Sequence, residues 1–176
     1  MTVIIREARP EDAEQLIVHI TAIANDPTSE ILLWPGEFRL TLDEERKWIE
    51  SNLKADHSTV LVAEVADAGQ AGTKIVGVLS CAGGEHLGNH HTTTLGITIH
   101  KNWRNQGIGR KLMEQVIAWA KSTGVIKRIQ LGVTSSNSPA IHLYEELGFE
   151  KEGLRRRGMF KNGQFYDTWL MGLLID

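Results

Sequence analysis

The chain has 176 residues, of which 41% are apolar, and its 19 basic and 22 acidic side chains leave a formal charge of −3. Those figures supply one sizeable core, exclude the high net charge of a disordered chain, and exclude a basic coat for nucleic acid. Cys81 is the only cysteine, so an internal disulfide and a cysteine-rich zinc module are both ruled out, and no run approaches the ~18 apolar residues of a membrane span. The opening MTVIIREARPEDAE carries acids early and no long apolar stretch, unlike a secretory signal, so a soluble cytoplasmic protein is expected.

Taken in chain order, Thr2–Ala8 alternates apolar and polar positions and predicts a strand. Pro10 then suits a first helical turn, with Glu11, Asp12 and Glu14 at its positive end and Leu16, Ile17, Ile20 and Ile23 along one face. Asp26-Pro27 ends that helix, and Thr28–Leu40, containing Trp34-Pro35-Gly36, predicts a loop with bulky side chains. Thr41 and Glu44 form a capping box for a helix over 41–55. Thr59–Val65 and Lys74–Ser80 predict a hairpin joined through Asp67–Thr73, followed by a polar loop over Cys81–His91 and a strand over Thr92–His100. Gly107–Ser122 predicts a helix closed by Gly124, Val125–Val133 a strand, and Ser138-Pro139 the start of a helix to Leu147 with Gly148 beyond it. Phe149–Phe160 and Phe165–Leu174 flank Lys161-Asn162-Gly163-Gln164, an Asn-Gly hairpin signal. The order βααβββαβαββ mixes strand–helix–strand units with hairpins, which predicts one α/β domain with a mixed sheet of about seven strands and flanking helices over residues 1–176.

Charge divides along the chain. Residues 1–100 carry 7 basic and 15 acidic side chains, whereas residues 101–161 carry 12 basic and 5 acidic. A polyanionic ligand is therefore expected to meet the second half.

The chemistry concentrates in LGITIHKNWRNQGIGRKL, Leu95–Leu112. A strand runs into a glycine-containing turn from which a helix starts. Such a junction lets a ligand approach the main chain and offers unpaired N–H groups at a positive dipole end, which suits a pyrophosphate. A P-loop would need Gly-x-x-x-x-Gly-Lys-Ser/Thr, and a dinucleotide fingerprint would need a small residue at Leu112 and an acid after the next strand; the chain has none of these.

Arg104-x-x-Gly107-x-Gly109 after the Leu95–Ile99 strand resembles the acyl-CoA signature of the GNAT superfamily of N-acetyltransferases, and the ending EGLRRRGMFKNGQFYDTWLMGLL resembles its small-molecule and ribosomal-protein acetylating branches. Asn137-Ser138-Pro139-Ala140-Ile141-His142-Leu143-Tyr144-Glu145-Glu146-Leu147-Gly148-Phe149 resembles its second block, and the element order resembles its fold from first strand to last hairpin. The resemblance implies an acetyltransferase with acetyl-CoA as cosubstrate and direct attack by an amine. It implies that Arg104, Asn105, Gln106, Gly107, Ile108, Gly109 and Arg110 surround the pyrophosphate, main chain first, and that Ile97, Thr98 and Ile99 pair with the pantetheine arm. An N–H near Ile97 would face the thioester oxygen, Asn137 and Ala140 would touch the arm, and Tyr144 would protonate the leaving thiolate. Helical spacing with Ala140, Leu143 and Leu147 by itself makes Tyr144 a core residue.

Many relatives carry a carboxylate just before the Leu-Gly of the fourth strand, where this chain has Thr94. Glu85 and His91 are the expected proton acceptors in its place, with His86, His90 and Glu37 as alternatives. No paired thiolate accompanies these histidines, and no metal site is expected. The acceptor pocket is expected from Trp34, Glu37 and Phe38 of the first long loop and from Asp167 of the last hairpin, with Arg155, Arg156, Arg157 and Tyr166 beside them. An acid there suits an ammonium group and an arginine suits a carboxylate. The expected partner is a small-molecule or peptide amine, with no nucleic acid or membrane and with room for a homodimer. The rival reading is a catalytically silent CoA-binding sensor or interaction module, motivated by Thr94.

Overall fold

The computed structural model describes residues 2–66 and 72–176; most of the expected turn Asp67–Thr73 lies outside the described residues. The elements run β1 (Val3–Glu7), α1 (Ala13–Asn25), α2 (Leu42–Lys54), β2 (Thr59–Ala66), β3 (Thr73–Gly83), β4 (Thr92–Ile99), α3 (Ile108–Thr123), β5 (Arg128–Thr134), α4 (Ser138–Glu146), β6 (Glu150–Lys161) and β7 (Gln164–Leu174). This is the predicted order. The strands form one seven-stranded sheet, β1-β2-β3-β4-β5-β7-β6, in which only β4 and β5 run parallel.

β2 explains the layering. Its run Thr-Val-Leu-Val-Ala is buried on both faces, as expected for a strand covered on both sides. Leu61, Ala63 and Val65 face the core that contains Leu112, Met113 and Val116 of α3, while Val60 and Val62 face the core that contains Leu16 of α1 and Ile49 of α2. Each of these Val, Leu, Ile or Met side chains, fully buried, contributes about 1.5–3 kcal/mol of transfer free energy.

Three boundaries differ from expectation by three residues, the others by one at most. α1 is preceded by a 3-10 turn over Pro10–Asp12, because the Asp12 carboxylate accepts from Arg9 N at 2.7 Å and from Arg6 Nη1 at 2.7 Å. β3 continues to Gly83, into the expected loop, because it stays paired with β4 as far as Gly83 opposite Thr93. β5 starts at Arg128 rather than Val125: Thr123 Oγ1 accepts from Val125 N and Ile126 N, which ties those two residues to the end of α3.

Candidate active site

β4 and β5 pair only over Thr92–Thr94 and Arg128–Gln130. Beyond those residues β4 stays bound to β3 up to Ile99 and β5 stays bound to β7 up to Thr134. Their facing edges therefore separate into a wedge, and each presents main-chain groups that an extended ligand can pair with. Two cavities open there, one of about 530 Å³ beneath α1, α2 and the 30–40 loop, and one of about 500 Å³ at the β4–α3 junction. Glu30, Ile31, Ile97, Thr98, Asn137 and Tyr144 line both.

At the junction Asn105 (φ 60°) and Gly107 (φ 77°) adopt left-handed backbone. The first helical hydrogen bond is Lys111 N to Gly107 O at 3.2 Å, and no main-chain N–H from Asn105 to Arg110 has an acceptor among the described residues. A Cβ placed on Gly107 would meet nothing within 4 Å. The result is a concave row of unpaired donors at the positive end of a 16-residue helix, with open space in front of it. Every residue expected around the pyrophosphate lines this cavity except Gln106, whose side chain donates to Asn102 O at 3.1 Å. Both arginines of this wall are also engaged within the protein. Arg104 donates to Asp26 Oδ2 at 2.8 Å, Thr28 Oγ1 at 3.1 Å and Ile99 O at 3.0 Å, and Arg110 pairs with Glu146. Burial alone would push the Asp26 carboxyl up, but hydrogen bonds from Thr28 and Arg104 outweigh it and hold it below the usual range.

Asn137 Oδ1 accepts from Ala140 N at 3.2 Å and caps α4. Its amide NH₂ has no partner among the described residues and belongs to the wall shared by the cavities. Tyr144, 7% exposed, stands about two helical turns farther on. Burial pushes its phenol up to about 12, and its hydroxyl also lacks a partner among the described residues. It therefore stays protonated at neutral pH and faces the cleft as a donor.

The first cavity is mostly apolar, with Leu16, Ile20, Phe38 and Trp48 in its wall. Its charged side chains are Glu30 and Glu45, and no Lys or Arg lines it among the described residues. Thr134 Oγ1 donates to Glu30 Oε2. Glu45 is 4% exposed, its carboxylate has no partner among the described residues, and burial raises its pKa. His19 Nε2 contacts Thr98 Oγ1 at 2.9 Å, and burial, reinforced by His100, holds the imidazole down to about 4.

Of the expected acceptor contacts only Phe38 lines this cavity. Glu37 folds back to accept from Trp34 N at 2.7 Å, Trp34 stacks on Phe160 at 6.2 Å, and Asp167 accepts from Arg157 N at 2.7 Å. Glu85 and His91 line neither cavity. Both precede β4 at the end of the sheet where β4 and β5 are still paired, so the wedge opens away from them. The expectation missed Glu30, Glu45 and His19. Glu45 shares a helical stripe with Trp48, Ile49 and Asn52, and His19 shares one with Leu16 and Ile23; an ionisable group on such a stripe is the signal that marked them.

Residues 18–149 match the model of the Acetyltransferase (GNAT) family. The chain belongs to this family. A curated relative, the L-amino acid N-acetyltransferase AaaT of Escherichia coli K12, is 33% identical over 81 residues, which make up 46% of this chain and about half (50%) of that protein. A GNAT acetyltransferase from Streptococcus pneumoniae has the same fold at TM-score 0.91 and 32% identity, over 99% of this chain and 100% of that one. The Salmonella typhimurium protein yncA, whose structure contains its cofactor acetyl-CoA, matches in fold at TM-score 0.81 and 22% identity, over 100% of this chain and 95% of that one. GNAT members use acetyl-CoA. The unpaired amides and open space at the β4–α3 junction fit the diphosphate of that group.

Proposed function

We propose that this chain transfers the acetyl group of acetyl-CoA to a primary amine, and that its acceptor is a small amine or peptide N-terminus with an apolar body. The observation that carries this reading is the meeting of the two cavities at Tyr144 and Glu30. One leads from a row of free amides, the other from a pocket whose charged groups are acids. An ammonium group is matched by those acids, whereas a free α-carboxylate meets no Lys or Arg there among the described residues. Amines and peptide N-termini without a nearby free carboxylate are therefore better acceptors than free amino acids.

When bound, acetyl-CoA supplies an acetyl thioester open to attack by an amine. Main-chain N–H groups from Asn105 to Arg110 hold its diphosphate, and the free edge of β4 aligns its arm, with an N–H near Ile97 stabilising charge on the thioester oxygen. Glu45 draws the acceptor in as an ammonium group, which gives one proton to solvent before the neutral amine attacks. Glu30, in the wall shared by the cavities, takes the proton that the amine loses as the new C–N bond forms. Tyr144 gives its phenolic proton to the sulfur as the C–S bond breaks, and solvent carries a proton from Glu30 back to it. The acetylated amine and the free thiol are the products. A panel of amines, amino acids and peptides assayed by thiol release tests this. The expected result is turnover highest on apolar amines without a carboxylate. A stabilising interaction with CoA in the absence of turnover on every acceptor favours the binding-module reading, and no interaction with CoA removes both.

A further inference from the structure

The Gly83-Gly84-Glu85-His86-Leu87-Gly88-Asn89-His90-His91 segment is not used by the acetyl-transfer site, yet it is tightly built. A Cβ on Gly83 would sit 2.0 Å from His57 Cδ2, and one on Gly84 would sit 2.2 Å from Asn89 O. Glycine at these two positions lets the His57 ring and the Asn89 main chain close in on the end of β3. Gly83 N donates to Ser58 Oγ at 2.9 Å, which binds the α2–β2 turn to the same place. The outcome is that Asp56 and His57, from one turn, meet His90 from another.

Asp56 Oδ1 lies 3.0 Å from His57 Nδ1 and 3.1 Å from His90 Nε2, and all three atoms lie within 4.8 Å of one another. Neither contact is aligned as a hydrogen bond, and His57 Nδ1 is buried without a hydrogen-bond partner among the described residues. The two rings lie with centroids 4.1 Å apart at 30°. Atoms that approach this closely without pointing at one another are what ligands of a common ion do. Around tetrahedral zinc with bonds near ~2.1 Å, ligand atoms stand roughly 3.4 Å apart. Two imidazoles and one carboxylate suit a borderline dication rather than magnesium or calcium, which take oxygen ligands. The site opens to solvent, with His90 half-exposed and Asp56 exposed.

We propose that Asp56, His57 and His90 bind one divalent transition-metal ion, with Zn²⁺ as the reference ion and water completing its coordination. The ion ties the α2–β2 turn to the β3–β4 loop, outside the acetyl-transfer cleft, so this inference is independent of the reading of that cleft. The test uses untagged full-length protein stripped with chelator, titrated with Zn²⁺ alone by calorimetry and by thermal melting. The expected result is one equivalent bound and a rise in Tm of roughly 5–10 °C at 100-fold excess over Kd, reversed by chelator. Co²⁺ should give the visible absorption of a four-coordinate ion, and Mg²⁺ should do nothing. His90→Ala and Asp56→Asn should remove the zinc response while melting, without metal, close to the parent, since both side chains sit at the surface. Absence of a chelator-reversible shift in the parent overturns the proposal. So does a shift that persists in His90→Ala, which would place the ion on other histidines.

Discussion

Burial at Tyr144 keeps the phenolic proton in place, with the pKa pushed up to about 12. Tyr144→Phe removes one oxygen from a packed ring, so the fold and CoA affinity should survive, while turnover falls about 10²-fold or more, the usual worth of a positioned proton donor. Equal turnover of the two proteins by thiol release would end that assignment. Glu45 and His19 respond to pH in opposite directions. Burial raises the Glu45 carboxyl, so as pH rises past ~4.3 the unfolded chain releases this proton first, and the folded state loses stability as pH climbs through the raised value. Glu45→Gln should therefore melt higher than the parent at pH 7.5 but not at pH 4. Its KM for a cationic amine should rise about tenfold or more, since a hydrogen bond to a charged group is worth ~1.5–3 kcal/mol. For His19 the folded pKa lies down at about 4. Its contribution is present above ~6.5 and is lost as pH falls toward that lower value, because the unfolded chain takes the proton first. Melting curves between pH 7 and 4.5 should fall less steeply for His19→Asn than for the parent.

At the scale of elements, the 26–31 segment that carries Glu30 is held from the far edge of the sheet. Buried Lys161 at the end of β6 donates from Nζ to Ser29 O at 2.7 Å, Ser29 Oγ at 3.0 Å and Ile31 O at 3.4 Å. Lys161→Met leaves those acceptors unmatched at a cost of ~1–3 kcal/mol. It should raise KM for the amine while leaving KM for acetyl-CoA nearly unchanged; equal changes in both would mean that the lysine only stabilises the fold. The sequence marks such elements where punctuation is strong. Asn162-Gly163 does take left-handed backbone at φ 52° and 76°, and the Thr41–Glu44 capping box forms. It does not mark which acid in a loop faces inward. Glu30 and Glu37 occupy the same predicted loop, and only the folded chain reveals that Glu37 is spent on the Trp34 amide while Glu30 reaches Thr134 on β5. That contact spans 104 residues, beyond the reach of any periodicity. Glu85 and His91 lie outside both cavities for a related reason: nearness to β4 in sequence does not say at which end of the strand the sheet opens.

The molecule as a whole is a sheet with one parallel seam, and that seam is where it opens. A hairpin can keep two antiparallel strands paired along their length, whereas β4 and β5 are joined through α3 and are free to part once three residues on each strand have paired. On the edge turned away from β3, main-chain groups of β4 beyond Thr94 are left without a β5 partner, apart from Ile99 O, which Arg104 occupies, and the free amides of Asn105–Arg110 follow in the chain. The 101–161 stretch also carries the chain's basic surplus. Hydrogen exchange with and without CoA tests this arrangement. Amides from Leu95 to Ile99 and from Asn105 to Arg110 should gain protection, whereas those of Glu85–His91, at the closed end, should not change. Gly107→Val forces a branched side chain into left-handed backbone, at ~1–2 kcal/mol, and puts atoms into the space in front of the amides. In that variant the protection should disappear at CoA concentrations that saturate the parent, and rising salt should weaken the parent's affinity as the basic half is screened. Protection that instead spreads evenly over the sheet, or gathers at Glu85–His91, would mean that the donor does not enter at the seam.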